Sequence, residues 1–466
     1  MGLYEKVKEL SRYGEVVSGD RKEKYLVKQI KAQFEPHFDE IKIYPTEVLS
    51  WSNKELEIEC EGGNVPKSDI VTLPYSPSAD LETENYKIIS LNNLTELNVK
   101  YGLLGNEGKV LIFTLNDDTL RKVVLKNRIL LQNSPQPPPY TPAFFVTQNA
   151  LKFLKGKCRF YTENIFKNSI GYSIEGISNS KNDEKIYVTA HHDHWFYGEH
   201  DDLVGVALLT ELMNEKYDNE IHAITFTAEE SGCYFESFSW ACGSKTFVEN
   251  NAKRLEGTKF VLSLDNIADS LYVYYTPILS IPLSNNITDV SYPSPYTDSY
   301  RFLSAGIPTI SFHSINYKYY HSSHDILTVE EAKIIEENTI PLIINTLRNT
   351  RLTSLEVFMN YIKNQVIELP VEIKTLITNI EGKRFDYNTI LPLYKSILYS
   401  NGKIMTTIFH TLKGIKESYF DIYVALEDFG EIEHKEDSNE VNYFTYLNRL
   451  YREETKKFYA LLSDIF

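Results

Sequence analysis

The central part of the chain alternates short apolar runs with helix-like segments, and this alternation constrains the fold more than any other feature. Four runs have the length and the β-branched and aromatic content of buried strands: KIYVTA, HAITFTA, KFVLSLDN and IPTISFH, between residues 185 and 313. The apolar segment 203–217 between the first two has helical character. Strands that alternate with helices form a sheet covered on both faces. The sequence therefore predicts an α/β fold with a mixed central sheet flanked by helices.

The chain has 466 residues, which is too long for one ordinary domain. The α/β unit is predicted over 1–61 and 151–349, with helical spacing in 3–34 and strands around a turn at Ser52-Asn53 in 41–58. Between these parts, 62–150 is a mostly β insert, because β-like runs alternate with Gly, Pro and Asn. Helical apolar spacing predicts a helical C-terminal domain over 350–466.

Charge and cysteine content exclude several classes of protein. Lys and Arg number 48 against 64 Asp and Glu, and the net charge of −16 argues against nucleic-acid binding and against an anionic membrane surface. The N-terminus lacks the apolar core of a signal peptide, so a cytoplasmic location is expected. The four cysteines form no CxxC pair, and free thiols are expected at Cys233 and Cys242.

Much of the acidic charge and most of the histidine fall in one segment. Residues 185–330 contain 8 Lys and Arg against 19 Asp and Glu, together with 8 of the 11 histidines. Many of these side chains follow apolar runs, where α/β sheets place their binding sites. The candidates occur in the groups His191-His192-Asp193-His194, Gly198-Glu199-His200-Asp201-Asp202, Glu229-Glu230, Asp265 and Tyr320-His321-Ser322-Ser323-His324-Asp325.

This inventory suits a pair of metal ions. Zinc prefers imidazole and carboxylate ligands where thiolates are absent. Two ions need two imidazoles, two terminal carboxylates and one bridging carboxylate, and a further carboxylate that binds no metal can act as a general base. The segment supplies each of these groups.

The motifs in this segment resemble those of the M28 family of zinc exopeptidases, and they occur in the family's order. They are His191-His192-Asp193, Gly198-Glu199-His200-Asp201-Asp202 with Gly205, Glu229-Glu230, Leu264-Asp265-Asn266-Ile267, Thr297-Asp298 with Ala305-Gly306-Ile307-Pro308, and Tyr320-His321-Ser322 with Asp325-Ile326-Leu327. Glu199 and Asp202 depart from the family pattern, which usually has Ala and Asn there.

The resemblance implies a ligand set for two Zn²⁺ ions, with Co²⁺ or Mn²⁺ as alternatives. One ion would take His191 and Asp265, the other would take Glu230 and His321, and Asp201 would bridge them.

It also implies three catalytic roles. Glu229 would be the general base for a metal-bridged hydroxide, and Tyr320 would stabilise the oxyanion. Asp193 would orient His191 through its second ring nitrogen.

The flanking regions resemble domains of larger family members. The insert is similar to the protease-associated domain, and the C-terminal part is similar to the helical dimerisation unit of the glutamate carboxypeptidase and transferrin-receptor branch. A homodimer through 350–466 is therefore expected.

The expected function is an aminopeptidase acting on peptides with a free N-terminus, with Glu199 or Glu229 as contacts for the α-amine. The alternatives are a carboxypeptidase, for which Arg301 could bind the substrate carboxylate, a glutaminyl cyclase, and a non-catalytic transferrin-receptor-like binding protein.

Overall fold

A computed structural model describes most of the N-terminal three quarters of the chain. The described residues are 2–94, 96–104, 109–125, 139–180, 182–233, 241–268, 270–276, 278–283, 288–290, 297–314 and 316–353. The helices are α1 (Leu3–Ser11), α2 (Arg21–Phe34), α3 (Glu96–Leu104), α4 (Val204–Glu211), α5 (Cys242–Asn250), α6 (Ser299–Ser304), α7 (Val329–Ile334) and α8 (Ile340–Asn349). Shorter helical turns are Lys67–Asp69, Gln148–Lys152, Glu199–Leu203, Leu212–Asn214 and Ile335–Thr339.

The strands contribute to three sheets in the described residues. They are β1 (Glu40–Cys60), β2 (Gly63–Asn64), β3 (Ile70–Thr72), β4 (Ala79–Thr83), β5 (Tyr86–Leu91), β6 (Val110–Leu115), β7 (Ala143–Val146), β8 (Cys158–Ser178), β9 (Asn182–His191), β10 (Asn219–Phe226), β11 (Thr258–Asp265), β12 (Tyr272–Tyr275), β13 (Leu279–Ser280), β14 (Thr288–Val290), β15 (Thr309–His313) and β16 (Arg351–Leu352).

The main sheet has the order β14-β12-β15-β11-β9-β10-β8-β1-β2, with β4 also paired to β8. Its centre is the parallel set β10-β9-β11-β15, and the outer pairs β10/β8, β8/β1 and β12/β15 are antiparallel. The four predicted strands are these four parallel strands, and the predicted mixed sheet is confirmed. Each is apolar on both faces because helices cover both sides of the sheet.

Alternate residues of β9 enter two different cores. Ile186, Val188 and Ala190 pack in the larger core with α1, α2 and α4. Tyr187 points to the other face and packs near Phe247 of α5. This alternation follows from the two-residue period of a strand and places the carboxyl end of β9 between two layers of helices.

Two helices replace the single predicted segment 3–34. The chain leaves α1 at Ser11 and turns through Gly14 and Gly19, both with positive φ, before α2 begins. The side chain of Asp20 caps α2 by accepting from the backbone N–H of Glu23. The connecting segment brings residues 15–19 to the carboxyl end of the sheet.

Strands β1 and β8 form a long antiparallel ladder, and the insert lies in the chain between them. The predicted turn at Ser52-Asn53 is wrong, since β1 continues through it with only a register shift between Asn53 and Glu55. Cys60 and Cys158 face each other at the end of this ladder and are joined in a disulfide, and Cys233 is joined to Cys242. The expectation of free thiols at Cys233 and Cys242 therefore differs from the structure, because backbone hydrogen bonds from Ala241 to Glu229 and from Cys242 to Ala228 bring the start of α5 against the turn after β10.

The insert has its own four-stranded sheet in the order β3-β7-β6-β5, together with α3. Its β character agrees with the prediction, while α3 and β7 were not predicted. The predicted run 127–133 lies outside the described residues.

The described part of the chain ends soon after α8, where Arg351–Leu352 pairs with β13. The helical C-terminal domain and its dimer contact lie almost wholly outside the described residues, as 354–466 are not among them. The division of the chain into three domains stays a prediction. In the described ranges, none of the helices combines the length and apolarity that crossing a membrane requires.

Candidate metal centre

The five predicted metal ligands come together at the carboxyl end of the parallel strands. Ligand atoms of His191, Asp201 and Asp265 lie within 4.8 Å of one another, and so do those of Asp201, Glu230 and His321. All five side chains are buried. Asp201 belongs to both groups, which is the position a bridging carboxylate requires.

The sheet itself brings three of these residues to one edge. His191 is the last residue of β9, Asp265 is the last residue of β11, and Glu230 follows β10. Because these strands are parallel, their carboxyl ends meet at the same edge. Asp201 comes from the turn Glu199–Leu203, and His321 comes from the loop after β15.

The distances between ligand atoms are those of side chains that converge on a common point. His191 Nε2 lies 3.3 Å from Asp201 Oδ1, and His321 Nε2 lies 3.4 Å from Asp201 Oδ2 and 2.7 Å from Glu230 Oε1. Asp201 Oδ2 and His321 Nε2 are buried and have no well-formed hydrogen bond in the described residues. Buried polar atoms of this kind need a partner, and a nitrogen and oxygen donor set without thiolates fits zinc.

The charges of the cluster shift its pKa values strongly. Burial alone would lower the pKa of His191, but the hydrogen bond with Asp201 and the charges of the neighbouring carboxylates together outweigh it and raise that pKa well above 6.5. Burial acts to raise the pKa of Asp201, and the same bond, with the charge of His321, brings it below its ordinary value. Burial raises the pKa of Asp265 well above its ordinary value, with Asp201 adding to the effect. His191 and Asp265 therefore keep their protons to higher pH than the same groups do in water.

Backbone carbonyls orient both ligand imidazoles. His191 Nδ1 donates to the carbonyl oxygen of Asp193 at 3.0 Å, and His321 Nδ1 donates to the carbonyl oxygen of Lys122 at 2.9 Å. A carbonyl can only accept, so in each neutral ring the proton is on Nδ1 and Nε2 is free for a metal.

Asp193 is the residue predicted to orient His191. In the structure the group that accepts from His191 is the backbone carbonyl of Asp193 and not its carboxylate. The Asp193 carboxylate instead accepts from the backbone N–H groups of Glu229 at 2.9 Å and Glu230 at 3.1 Å. Ser18 Oγ adds a third hydrogen bond at 2.9 Å. Asp193 thus holds the turn that carries the Glu pair.

Glu229 and Tyr320 lie next to the ligands, as predicted. Glu229 forms a compact group with His191 and Glu230, and burial, reinforced by the charge of Asp265, raises its pKa well above the ordinary value. The Tyr320 ring stacks on His321 with centroids 3.9 Å apart. Burial raises the pKa of Tyr320 well above 10.0, so its hydroxyl is a hydrogen-bond donor at neutral pH.

A family model for peptidase family M28 matches residues 174–340. This segment contains the five candidate ligands, Asp193, Glu229 and Tyr320. Residues 174–340 are therefore similar to peptidase family M28. No curated protein matches the chain.

Solved structures with a similar fold cover about three quarters of the chain. The zinc aminopeptidase BSAP from Bacillus subtilis has a TM-score of 0.54 at 18% identity, over 74% of this chain and 93% of that one. A peptidase M28 precursor from Shewanella amazonensis has a TM-score of 0.57 at 15% identity, over 76% of this chain and 95% of that one. An aminopeptidase from an Aneurinibacillus species has a TM-score of 0.50 at 18% identity, with coverage of 75% and 94%.

Several contacts of the candidate metal ligands are not predicted by the sequence. Trp195 Nε1 donates to Glu230 Oε2 at 3.0 Å. His313 Nε2 lies 3.5 Å from Asp265 Oδ1, because the two residues are paired across β15 and β11. The position of His313 at the end of a predicted strand was the one signal that could have identified it.

Asp325 holds the turn that carries the candidate bridging residue Asp201. Its Oδ1 accepts from His200 N at 3.0 Å and from His200 Nδ1 at 2.8 Å, and its Oδ2 accepts from Asp201 N at 3.2 Å. Asp325 belongs to one of the sequence motifs, but its role in holding this turn is not predicted by the sequence. The Nδ1 atom of His200 is thus engaged by Asp325, while its Nε2 lies 3.9 Å from Glu331 Oε2.

Glu199 does not face the metal centre of the M28 domain. Its carboxylate accepts from Lys8 Nζ at 2.5 Å, Ser11 Oγ at 2.6 Å and the backbone N–H of Leu327 at 2.6 Å. The prediction that Glu199 could bind the substrate amine is therefore wrong. Glu199 instead links helix α1 to the backbone at Leu327.

Gly205 is required by the packing of the bridging turn. A Cβ at this position would lie 2.3 Å from Asp202 Oδ1. Asp202 Oδ2 in turn accepts from the backbone N–H of His191 at 3.1 Å. The glycine of the M28 motif thus lets this carboxylate approach the strand that ends in a ligand.

Proposed function

We propose that this protein is a binuclear zinc aminopeptidase that removes N-terminal residues from peptides. The position of Asp201, which forms one compact group with His191 and Asp265 and another with Glu230 and His321, carries the proposal. One zinc ion would be held by His191 and Asp265 and the other by Glu230 and His321. The match of residues 174–340 to peptidase family M28 supports peptidase activity, and the zinc aminopeptidase with a similar fold supports the metal.

The chemistry is divided between the metals and two side chains. Bound zinc would act as a Lewis acid on the peptide carbonyl and lower the pKa of an attacking water. Glu229, which is not one of the five ligands, accepts the proton of that water and donates it to the leaving amine. Tyr320 donates a hydrogen bond to the oxygen of the tetrahedral intermediate.

The surroundings of the site support an amine over a carboxylate as the recognised end of the peptide. Two bound Zn²⁺ ions would offset the charges of Asp201, Glu230 and Asp265, and Glu229, which binds no metal in this proposal, is left as an anionic contact for a substrate ammonium. Arg301, the candidate for binding a C-terminal carboxylate, is buried and donates through Nε to the carbonyl oxygen of Ala241. This contact gives the carboxypeptidase alternative less support.

A substrate panel combined with metal analysis tests the proposal. Aminoacyl fluorogenic substrates are compared with peptides that are blocked at the N-terminus and free at the C-terminus, and with N-terminal glutaminyl peptides. Hydrolysis of the first set with about two zinc ions per chain supports the proposal. Three outcomes contradict it. They are cleavage of the N-terminally blocked peptides, cyclisation of the glutaminyl peptides with about one zinc ion per chain, and a protein that has neither bound metal nor turnover.

A further inference from the structure

A segment of the β insert lies directly against the loop that carries His321. Arg121 forms an antiparallel bridge with Ser322, and the backbone N–H of Ser323 donates to the carbonyl oxygen of Leu120 at 3.0 Å. The Arg121 guanidinium also donates to the carbonyl oxygen of Lys318 at 3.0 Å. This segment lies outside residues 174–340, so the M28 match says nothing about it.

Lys122 makes two contacts with His321 through its backbone. Its N–H donates to the carbonyl oxygen of His321 at 3.0 Å, and its own carbonyl oxygen accepts from His321 Nδ1 at 2.9 Å. The second bond keeps the proton on Nδ1 and turns Nε2 toward Glu230 Oε1, 2.7 Å away. The geometry of this ligand therefore depends on where the Lys122 backbone lies.

The Lys122 side chain is anchored by an ion pair and by two aromatic rings. Its ammonium is buried and lies 2.6 and 2.8 Å from the two carboxylate oxygens of Glu15. It also faces the rings of Phe196 at 5.0 Å and Trp51 at 5.8 Å. A buried ammonium needs such partners, and losing one leaves a charge uncompensated. The ion pair with Glu15 therefore anchors the backbone of this segment.

We propose that Lys122 is a positioning residue for the metal ligand His321. Its ammonium, anchored by Glu15, fixes the backbone carbonyl that orients the imidazole. The β insert therefore contributes to the geometry of the metal centre through the backbone carbonyl of Lys122. This inference rests on the proposed function only in taking His321 as a zinc ligand.

Metal affinity in the full-length chain tests this role separately from turnover. Zinc binding is measured by competition with a chromogenic chelator for wild type, Lys122→Met and Lys122→Arg. The Met variant keeps the length of the side chain but loses the charge, and we expect about 10–100-fold weaker binding at one of the two sites. The Arg variant keeps the ion pair and the ring contacts, so its affinity is expected within a few-fold of wild type. Lys87→Met, at an exposed lysine of the same insert, is the matched control and should bind zinc as wild type does.

Zinc affinity of Lys122→Met within about twofold of wild type overturns the proposal, as does an Arg variant as weak as the Met variant. If Lys122→Met does not fold, Glu15→Gln removes the charge of the partner and should weaken zinc binding in the same direction. Unchanged affinity in a folded Glu15→Gln protein also overturns the proposal. Wild type that binds zinc but cleaves no peptide contradicts the proposed function and leaves this inference standing, while wild type that binds no zinc overturns both.

Discussion

The indole N–H of Trp195 donates to Oε2 of Glu230 at 3.0 Å, while Oε1 of the same carboxylate lies 2.7 Å from His321 Nε2. One oxygen of Glu230 therefore accepts a hydrogen bond from the protein, and the other is left for the proposed zinc ion. Trp195 follows β9 and Glu230 follows β10, so neighbouring strands place the pair. A hydrogen bond of this kind orients a ligand and tunes its affinity.

Trp195→Phe should weaken zinc binding by about tenfold or more, because a hydrogen bond to a charged ligand is lost while the aromatic packing is retained. Chelator competition measures the effect. Tyr86→Phe is the control, since it also removes one hydrogen-bond donor from an aromatic side chain, here the hydroxyl that donates to the carbonyl oxygen of Gly156. Equal zinc affinities in the two variants would contradict the orienting role of Trp195.

Glu229→Gln should separate metal binding from catalysis. The amide cannot accept a proton, so we expect kcat to fall about 10²–10⁴-fold while zinc stoichiometry is unchanged. Steady-state kinetics and metal analysis on the same sample measure both effects. Glu256→Gln, at an exposed position, should leave both unaltered. Near-normal kcat in Glu229→Gln would exclude this residue as the general base.

The pH dependence of metal binding follows from the pKa of His191, which lies well above 6.5 in the metal-free protein. Zinc needs the neutral imidazole, so loading must release protons, and apparent affinity should rise with pH by up to about tenfold per unit for each proton released. Isothermal titration calorimetry in buffers of different ionisation enthalpy counts these protons. Affinity that does not change between about pH 6 and pH 8 would contradict the raised pKa.

The stability of the metal-free protein should change with pH in the opposite direction. The raised pKa values of His191, Asp265 and Glu229 mean that the folded chain binds more protons than the unfolded chain. For His191 this stabilisation is complete below 6.5 and is lost as pH rises through the folded pKa. Buried carboxyls with raised pKa values likewise destabilise the fold once they ionise. Thermal denaturation in chelator should therefore give a lower Tm at about pH 8 than at about pH 6, and zinc should restore more stability at the higher pH.

Glu199→Ala should reduce stability without altering substrate recognition. Its carboxylate accepts three hydrogen bonds between α1 and the segment near Leu327, so we expect a loss of about 2–3 kcal/mol of unfolding free energy. KM should stay near the wild-type value because the residue faces away from the ligands. Chemical denaturation and kinetics measure the two effects. Glu35→Ala, which removes an exposed pair with Lys31, should change stability by less than about 1 kcal/mol. A large rise in KM for Glu199→Ala would revive a role in binding the amine.

Features that depend on long-range pairing could not be predicted from the sequence. Ser52-Asn53 has the polarity of a turn, but pairing with β8, about a hundred residues away, extends β1 through it. The Cys60–Cys158 disulfide follows from the same ladder, which sets the two residues opposite each other. The direction of Glu199 was equally hidden, because its partner Lys8 comes from the N-terminal helix.

The sequence by itself determined the parallel strands and the residues at their carboxyl ends. Apolar runs such as 185–190 must be buried, and a parallel sheet then brings His191 and Asp265 to one edge. Only the tertiary structure decided how those ligands are oriented. Glu230 is oriented by Trp195 from a neighbouring strand end, and His321 by Lys122 from the insert. A short-range pattern records which side chains are buried, whereas a hydrogen bond between distant segments depends on how the whole chain packs.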